Sequence, residues 1–491
     1  MSPTPPPPEA PSLEPTLARG LLALALLLGA TLRVKLALTD DGIYWPDEVY
    51  QSLEPAHRLV FGYGLVAWEF IAGARNWALP GLVAGLMGLA RGLGLDTPAG
   101  YLGFIKCVFA LLGTGAAWGS YRLARSHGAV PLAAAAGASL VALSSVAIYF
   151  SPRAMSENAS AVPVVWGLAL ALAPGASRRV LVVSASLLGL AVMLRLQNGI
   201  FCVGLVALLA ARRQWRDAGL ALGLLTVWAF LFGLLDRLTW GSWFHSARVY
   251  LEFNFVQQGG NQWGTAPFEY YALVLLRAMK GVTLVAVGLS LLALWRARGL
   301  ALLAIVFYVL HAYQPHKELR FLIPLFPLVA ALAGVGLDVV LGEWKTFRIR
   351  AGLALIVAAM GLGSAVLASN LTFGDIGQYE QTRPQVSAYD DSGPINRLLE
   401  VAGQQKDACG LKIEAPAHIA WTGGYSYFHR NVPLYWFQGP DRGSGLFNYV
   451  ITGPQVGTGG GQEVAQDQGF LLVRLPRDTC TPDPGYNWRL P

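Results

Sequence analysis

Two charged motifs in an otherwise apolar chain contain the residue types that chemistry on an anionic substrate would need. The first is an acidic loop, residues 39–58, in which Pro46 precedes Asp47 and Glu48. Proline and acids favour the first turn of a helix, so the loop is predicted to start a surface helix that holds both carboxylates. A carboxylate held there could take a proton from an acceptor hydroxyl. The competing interpretation is a loop whose acids are merely solvated.

The second motif is basic and covers residues 316–321, with the sequence HKELRF. Lys and Arg are the usual partners of phosphate, and Arg can bind it through two parallel hydrogen bonds. The cluster of His316, Lys317 and Arg320 therefore predicts an anion-binding site. A single arginine near a span end, such as Arg153, fits equally well with a side chain that reaches up to lipid headgroups.

A third feature is the polar and aromatic segment 239–271, which includes Asn254 and Trp263. Amide groups can bond sugar hydroxyls, and aromatic rings can stack on the C–H faces of a sugar. An aromatic belt at the membrane surface is the alternative explanation. The sequence has no P-loop and no dinucleotide fingerprint, and its histidines and cysteines have no metal-ligand spacing.

The composition requires that these motifs be positioned by a membrane domain. Of 491 residues, 54% are hydrophobic and 13% are charged, against about a quarter charged in soluble proteins. A disordered, fibrous or disulfide-rich secreted protein is excluded. The net charge of +7 does not indicate nucleic-acid binding, because the basic residues are spread over short loops between apolar blocks.

The apolar blocks predict about eleven transmembrane helices after a disordered, proline-rich cytosolic tail at residues 1–16. The segment 77–95 is predicted to be re-entrant or interfacial. The predicted spans are 17–38, 100–121, 129–150, 159–174, 180–195, 199–211, 218–238, 272–294, 299–313, 321–341 and 351–370.

Loop charges predict the orientation of these spans. With a cytosolic N-terminus, every inside loop has at least two basic residues, as the positive-inside rule expects. These loops are 122–127, 175–179, 212–217, 295–298 and 342–350. The membrane domain, 17–370, then presents the outer loops 39–76 and 239–271 and the basic motif on the non-cytosolic face.

The remaining region, 371–491, is predicted to be a small α/β domain on the same outer face. Two strand-like runs, 449–452 and 470–475, lie between turns rich in Gly, Pro and Asp. Cys409 and Cys480 both lie in this region and could pair in an oxidising compartment. The fold class is thus an all-α polytopic membrane protein with a small extracytoplasmic α/β domain.

The motifs together resemble glycosyltransferase family 22, which contains the mannosyltransferases of GPI-anchor and N-glycan assembly. The resemblance is strongest to the GPI branch that adds the third mannose. Three ordered regions carry it: WPDEVYQSLEPAH at 45–57 with FGYG at 61–64 and WE at 68–69, FNF at 253–255 with WGTAP at 263–267, and HKELRFLIP at 316–324. They extend over most of the membrane part, whereas the C-terminal domain is matched only loosely.

The resemblance implies a GT-C fold and an inverting transfer of mannose from a polyprenyl-phosphate donor to an acceptor hydroxyl on the non-cytosolic face. Carried over residue by residue, it implies the base role for Asp47, with Glu48 as the alternative, and the donor phosphate for His316, Lys317 and Arg320. No metal or other cofactor is required by this scheme. The substrate-binding candidates are Gln51, Glu54, His57, Arg153, Asn254 and Trp263.

This chain departs from the eukaryotic pattern after Pro267, where Phe268 and Glu269 follow. Its composition suggests a bacterial homologue in the inner membrane with a periplasmic site, or an ER enzyme if the source is eukaryotic. The expected partners are the lipid-linked donor, a glycolipid, glycan or other hydroxyl acceptor and the bilayer, with no nucleic acid. A lipid-linked sugar flippase is the alternative function, although transporters place their charges near the bilayer midplane.

Overall fold

The computed structural model describes residues 13–378, 383–389, 392–416 and 418–490. Most of the predicted tail, residues 1–12, lies outside the described residues, and the first helix already begins at Leu13. The α-helices are α1 Leu13–Thr39, α2 Glu54–Phe61, α3 Trp68–Ala72, α4 Ala78–Gly92, α5 Pro98–Ser126, α6 Pro131–Ala142, α7 Ser145–Phe150, α8 Ser156–Ala171, α9 Arg178–Leu194, α10 Gly199–Ala211, α11 Trp215–Trp240, α12 His245–Leu251, α13 Tyr270–Met279, α14 Gly281–Leu292, α15 Arg298–Tyr313, α16 Phe326–Gly342, α17 Phe347–Leu367, α18 Gly393–Gln404 and α19 Gly424–Phe428.

Short helical turns of other types complete the helical part of the described chain. Two are wide π turns, at Val49–Leu53 and Glu252–Val256. The 3₁₀ turns are Leu196–Asn198, Gly259–Trp263, Leu319–Leu325, Ala368–Asn370 and Ile419–Trp421. Single π turns inside α-helices are frequently found at functional sites.

Five helical segments of the described chain are long and apolar enough to cross a membrane, so the predicted count of eleven spans is not confirmed. They are Leu13–Thr39, Pro98–Ser126, Trp215–Trp240, Leu319–Gly342 and Phe347–Asn370. A sixth is added if α13 and α14, which are bent by 120° at their junction, form one span. The other predicted spans do contain helices, but these have fewer residues than the roughly 20 that a straight span needs.

The predicted single span 129–150 shows why the helices are shorter than the apolar blocks. It is broken into α6 and α7, and Ser144 caps the start of α7. Arg33 of α1 donates to the carbonyls of Val141 and Ala142, where α6 ends. Carbonyls left free by the break are thus satisfied inside the protein, which is what a break at membrane depth requires.

Close helix packing depends on small residues. A Cβ atom on Gly137 of α6 would lie 2.6 Å from the Cα atom of Gly334 on α16. The two backbones therefore touch at a position where any larger side chain would force them apart. This small-residue contact is typical of helices that associate within lipid.

The C-terminal region forms the predicted α/β domain. Its strands are β1 Leu411–Ile413, β2 Leu434–Tyr435, β3 Tyr449–Thr452, β4 Gln462–Asp467 and β5 Phe470–Arg474. They form one sheet in the order β2-β1-β3-β5-β4, parallel from β2 to β3 and antiparallel from β3 to β4. Both strands predicted from the sequence are confirmed as β3 and β5. Cys409 and Cys480 are disulfide-bonded, with Cα atoms 5.7 Å apart.

One hydrophobic core joins this domain to the membrane part. Val49 and Leu53 of the acidic loop belong to the same buried cluster as Ile105 of α5 and Leu399 of α18. Burying this apolar surface fixes the acidic loop between the helix bundle and the sheet domain. The loop is therefore held from both sides, and its charged side chains are held with it.

Candidate active site

The acidic loop forms the helix that its sequence predicts. The carbonyl of Pro46 accepts from the backbone N–H groups of Val49 and Tyr50, at 3.1 and 2.8 Å. The helical run then continues from Asp47 through the π turn and α2 to Phe61. Asp47 and Glu48 consequently lie in the first turn, where exposed N–H groups favour negative charge.

The two charged motifs meet directly. The Oδ2 atom of Asp47 lies 2.6 Å from the Nη2 atom of Arg320, although the residues are 273 positions apart in the chain. The side chain of Asp47 is 20% exposed and that of Arg320 is 4% exposed. The sequence predicted that the acidic loop and the basic motif share one face, and the structure has them in contact.

Arg320 is surrounded by two further carboxylates. Its Nε atom donates to Glu318 at 2.7 Å, and its Nη1 atom lies 3.4 Å from Glu157. A buried guanidinium needs such partners because removing an unpaired charge from water is very unfavourable. Arg320 thereby fixes the position of Asp47.

Glu318 and His316 form a second pair at the edge of this cluster. Burial disfavours the charged carboxylate of Glu318, yet the charge of Arg320 and the hydrogen bond from His316 lower its pKa to about 2. Burial likewise opposes a protonated His316, but its bond to Glu318, at 3.1 Å, raises the pKa of the imidazole. The two shifts favour an ion pair.

Lys317 holds two loops together. Its Nζ atom donates to the carbonyls of Ala266 and Gln314, at 2.6 and 2.5 Å. The backbone N–H of Ala266 in turn donates to the carbonyl of Pro315 at 2.9 Å. The predicted phosphate-binding residues His316, Lys317 and Arg320 thus lie in one place, but their donor groups already have protein partners, and the phosphate role stays a prediction.

Glu48 differs from its neighbour Asp47 in burial. Both of its carboxylate oxygens lie 3.1 Å from the Nη1 atom of Arg153, which also bonds Asp40 through Nη2 at 3.0 Å. Burial raises the pKa of Glu48, although the charge of Arg153 opposes that shift. Arg153 is therefore part of a buried ion pair and does not reach out to headgroups. Asp47 is the more accessible of the two acids.

Glu54 and His57 lie apart from the charged cluster. Glu54 is fully buried and accepts from the N–H groups of Leu65, Tyr425 and Ser426. His57 contacts His429 through its Nε2 atom at 2.9 Å. Both residues join α2 to the C-terminal domain, so a substrate could not reach them without separating that interface. Their predicted substrate-binding role does not fit this location.

The other predicted substrate-binding residues lie around the cluster. Gln51 donates to Glu69 at 2.8 Å. Asn254 donates to the carbonyl of Tyr250. Trp263 is 43% exposed, and its ring centroid lies 6.1 Å from that of His316. Asn254 and Trp263 thus belong to the segment that contacts the basic motif.

Sequence reasoning missed several charged residues of the site. Glu318 was inside the basic motif, and Glu157 was available as a charge beside an apolar block, which is an unusual and informative position. Arg195, like Arg153, lies near an outer span end, where an anionic ligand and lipid headgroups were equally good explanations of its charge. Glu69 lay inside the WE pair at 68–69 that contributes to the family resemblance, whereas Arg75 gave no comparable signal. Burial and the nearby charge of Asp47 raise the pKa of Glu69 to about 6.

A narrow cleft opens beside Arg75, whose Nη2 atom lies 3.9 Å from Asp47. It lies between α4, α9, α11 and α12 and holds about 50 Å³ of space accessible to water. Its polar lining includes Gln51, Arg75, Ser156, Arg195 and Tyr250. Within the described residues, no three His, Cys, Asp or Glu side chains are grouped so as to hold a metal ion.

Comparison with known proteins gives consistent matches over most of the chain. The model of the Alg9-like mannosyltransferase family matches residues 24–397. GPI mannosyltransferase 3 of Yarrowia lipolytica is 30% identical over 432 residues, which are 85% of this chain and 77% of that protein. Mannosyltransferase APTG1 of Arabidopsis thaliana is 28% identical over 337 residues, 62% of this chain and 56% of that protein.

Among solved structures, ArnT from Cupriavidus metallidurans bound to undecaprenyl phosphate is similar in fold. The TM-score is 0.61 at 15% sequence identity, and the match covers 95% of this chain and 100% of that chain. At this level of identity the likeness concerns the fold alone, and the fold is of the GT-C type.

Proposed function

The chain belongs to the Alg9-like mannosyltransferase family and is a glycosyltransferase, and we propose that it transfers mannose from a polyprenyl-phosphate donor to an acceptor hydroxyl with inversion. The observation that carries this proposal is Asp47, a partly exposed carboxylate held by a buried arginine. Such a group is positioned to receive a proton, and its charge is balanced without being fully buried.

The donor class is supported by chemistry and by similarity. The site combines several cations with an apolar helix bundle, which suits a ligand that has an anionic head and a lipid tail. The similar ArnT structure contains undecaprenyl phosphate, and several relatives are named as mannosyltransferases. From these we infer a lipid-phosphate mannose as donor.

The membrane side is part of the proposal. The apolar helices fit a multi-pass membrane protein, and the basic loops predicted to be cytosolic lie away from the motifs in sequence. By the positive-inside rule the reaction end then faces outward. We assign it to the periplasmic side of a bacterial cell membrane, or to the ER lumen in a eukaryotic cell.

The reaction needs one displacement step. The acceptor oxygen forms a bond to the anomeric carbon while the bond from that carbon to the phosphate oxygen breaks, and its electron pair leaves with the phosphate. The acceptor proton goes to Asp47. Attack opposite to the leaving phosphate inverts the anomeric centre, and nearby cations stabilise the growing phosphate charge.

The other charged residues take supporting roles in this scheme. Arg320 orients Asp47, because it contacts three carboxylates at once. Lys317 fixes the segment that carries Trp263 beside the basic motif. His316 and Trp263 lie at the accessible edge, where they could contact the sugar or the acceptor.

Transfer by the purified protein tests the proposal. Radiolabelled mannose supplied as a polyprenyl-phosphate ester should appear in acceptor glycolipids extracted from membranes, and Asp47→Asn should reduce this transfer by about a thousandfold. Asp41→Asn is a matched control in the same loop, since Asp41 pairs with Lys106 and Arg397 outside the cluster. Movement of donor across liposomes without any transfer would instead identify a flippase.

A further inference from the structure

Charges of alternating sign run in an unbroken series through the candidate active site. Arg75 lies 3.9 Å from Asp47, which lies 2.6 Å from Arg320. Arg320 lies 3.4 Å from Glu157, which lies 2.5 Å from Arg195. Both ends of the series are arginines, and both arginines line the cleft.

The two terminal arginines have unused hydrogen-bonding capacity. The Nε–H groups of Arg75 and Arg195 are buried, and neither has a hydrogen-bond partner among the described residues. The contact of Arg75 with Asp47 is also long, at 3.9 Å. Leaving a buried donor unpaired is unfavourable, so each of these two N–H groups is available to an acceptor oxygen of a ligand.

The unpaired Nε–H groups distinguish the two terminal arginines from Arg320, which was predicted from the basic motif to bind the phosphate. The Nε atom of Arg320 is bonded to Glu318, and its Nη2 atom is bonded to Asp47. To bind a phosphate through these atoms, Arg320 would first have to release Glu318 or Asp47. Arg75 and Arg195 each keep an Nε–H group that no carboxylate occupies.

The lining of the cleft changes from polar to apolar. Leu79 and Pro80 of α4, Leu194 of α9 and Phe232 of α11 form its apolar part. On the outer surface of α11, Phe230 is 54% and Leu238 is 75% exposed, as expected where lipid covers a helix. An amphipathic ligand could therefore place its anionic head at the arginines and its hydrocarbon tail along α4 and α11.

We propose that Arg75 and Arg195 bind the phosphate of the lipid donor in this cleft, each through its free Nε–H. The proposal rests on the proposed function, which supplies the class of ligand, but it assigns different residues from those that the motif predicted. It places the leaving phosphate in the cleft on the α4 side, so the sugar must lie between that phosphate and Asp47 for inversion. The acceptor then approaches from the side of His316 and Trp263.

Direct binding of undecaprenyl phosphate to the purified protein, measured by tryptophan quenching or native mass spectrometry, tests this assignment without any need for turnover. Arg75→Ala should weaken binding by about tenfold or more, the usual effect of losing a hydrogen bond to a charged group. Arg195→Lys keeps the charge beside Glu157, so it should remain folded while still weakening binding. The exposed Arg248→Ala, on α12, is the matched control and should bind as the wild type does.

The outcomes separate this inference from the proposed function. If Arg75→Ala and Arg195→Lys both bind with wild-type affinity while the wild type transfers mannose, the arginine assignment is wrong and the function stands. If the wild type binds no undecaprenyl phosphate, both fail. Inorganic phosphate and phosphatidylglycerol serve as competitors, and equal affinity for either would overturn a site specific for the polyprenyl phosphate.

Discussion

The two halves of the acidic loop, residues 39–58, both hold acidic side chains, but they satisfy these acids with different partners. Asp47 and Glu48, in the first half, are paired with Arg320 and Arg153. Glu54, in the second half, is held by N–H groups of Leu65, Tyr425 and Ser426 and by the Ser426 hydroxyl. The first half is thus ionic, whereas the second half is satisfied by neutral donors.

The acids paired with arginines form a site that can respond to a ligand, whereas the acid bound by backbone N–H groups forms a rigid interface. A cation that pairs with a carboxylate can also pair with a substrate anion or follow a change in protonation, since charge interactions tolerate new geometry. Backbone N–H groups cannot move without breaking the fold. Two acids in one loop therefore have different uses, and burial alone would not reveal them.

The strongest test of the ionic half is Asp47→Asn. Because a general base contributes about a hundredfold to ten-thousandfold, transfer should fall by about a thousandfold while gel filtration and thermal unfolding stay unchanged. Initial rates with labelled donor measure this. Near-normal turnover would show that Asp47 is not the base and would leave Glu48 as the candidate for that role.

The corresponding test of the neutral half is Glu54→Ala. It leaves three buried N–H groups and a hydroxyl without an acceptor, and we expect a loss of about 3 kcal/mol in the docking of the C-terminal domain. Native-state proteolysis can measure this. Glu54→Gln, which keeps one acceptor oxygen, should lose less. If the folded fraction of Glu54→Ala lost transfer as completely as Asp47→Asn, the contrast between the halves would be wrong.

Arg320→Lys tests whether one arginine organises the ionic half. Lysine has no planar fork and cannot contact Asp47, Glu318 and Glu157 together. We expect kcat to fall by about a hundredfold, with a smaller change in the donor KM, because Asp47 loses its orientation. Arg122 is exposed and lies near the C-terminal end of α5, so Arg122→Lys should behave as the wild type. An effect on the donor KM alone would indicate instead that Arg320 binds the donor phosphate.

The smallest expected effect is the pH dependence of stability that His57 contributes in the neutral half. Burial lowers the pKa of His57 to about 3. The hydrogen bond to the Tyr63 carbonyl opposes this shift, and the charge of His429 adds to it. The unfolded chain binds this proton from its ordinary pKa of about 6.5 downwards. The stability that neutral, buried His57 contributes is therefore fully present above pH 6.5. It is lost as the pH falls toward 3, by at most about 1.4 kcal/mol per pH unit.

His57→Gln should flatten that dependence, since glutamine keeps a donor and an acceptor but does not titrate. Thermal unfolding of both proteins at pH 7.5, 6 and 5 gives the comparison. His429 also faces His57 and has a pKa lowered by burial, so part of the slope should remain. Identical slopes in the two proteins would remove His57 from the pH response.

Local sequence signals predicted much of the architecture. The strand runs at Tyr449–Thr452 and Phe470–Arg474, the helix that starts after Pro46 and the apolar helical segments are all present. Each depends on a pattern within a few residues. The predicted count of eleven spans is not confirmed for the same reason, because hydrophobicity does not record where a distant residue such as Arg33 allows a helix to break.

The sequence by itself determined that this is an apolar helix bundle carrying an acidic and a basic motif of one glycosyltransferase family. Only the tertiary structure decided which members of those motifs meet. Asp47 and Glu48 are adjacent and chemically alike, yet one is partly exposed beside Arg320 and the other is sealed against Arg153. Arg75, Glu157 and Arg195 joined the site without any shared motif. Burial and ion pairing are set when segments that are far apart in the chain pack together. No local sequence pattern encodes which of those segments will meet.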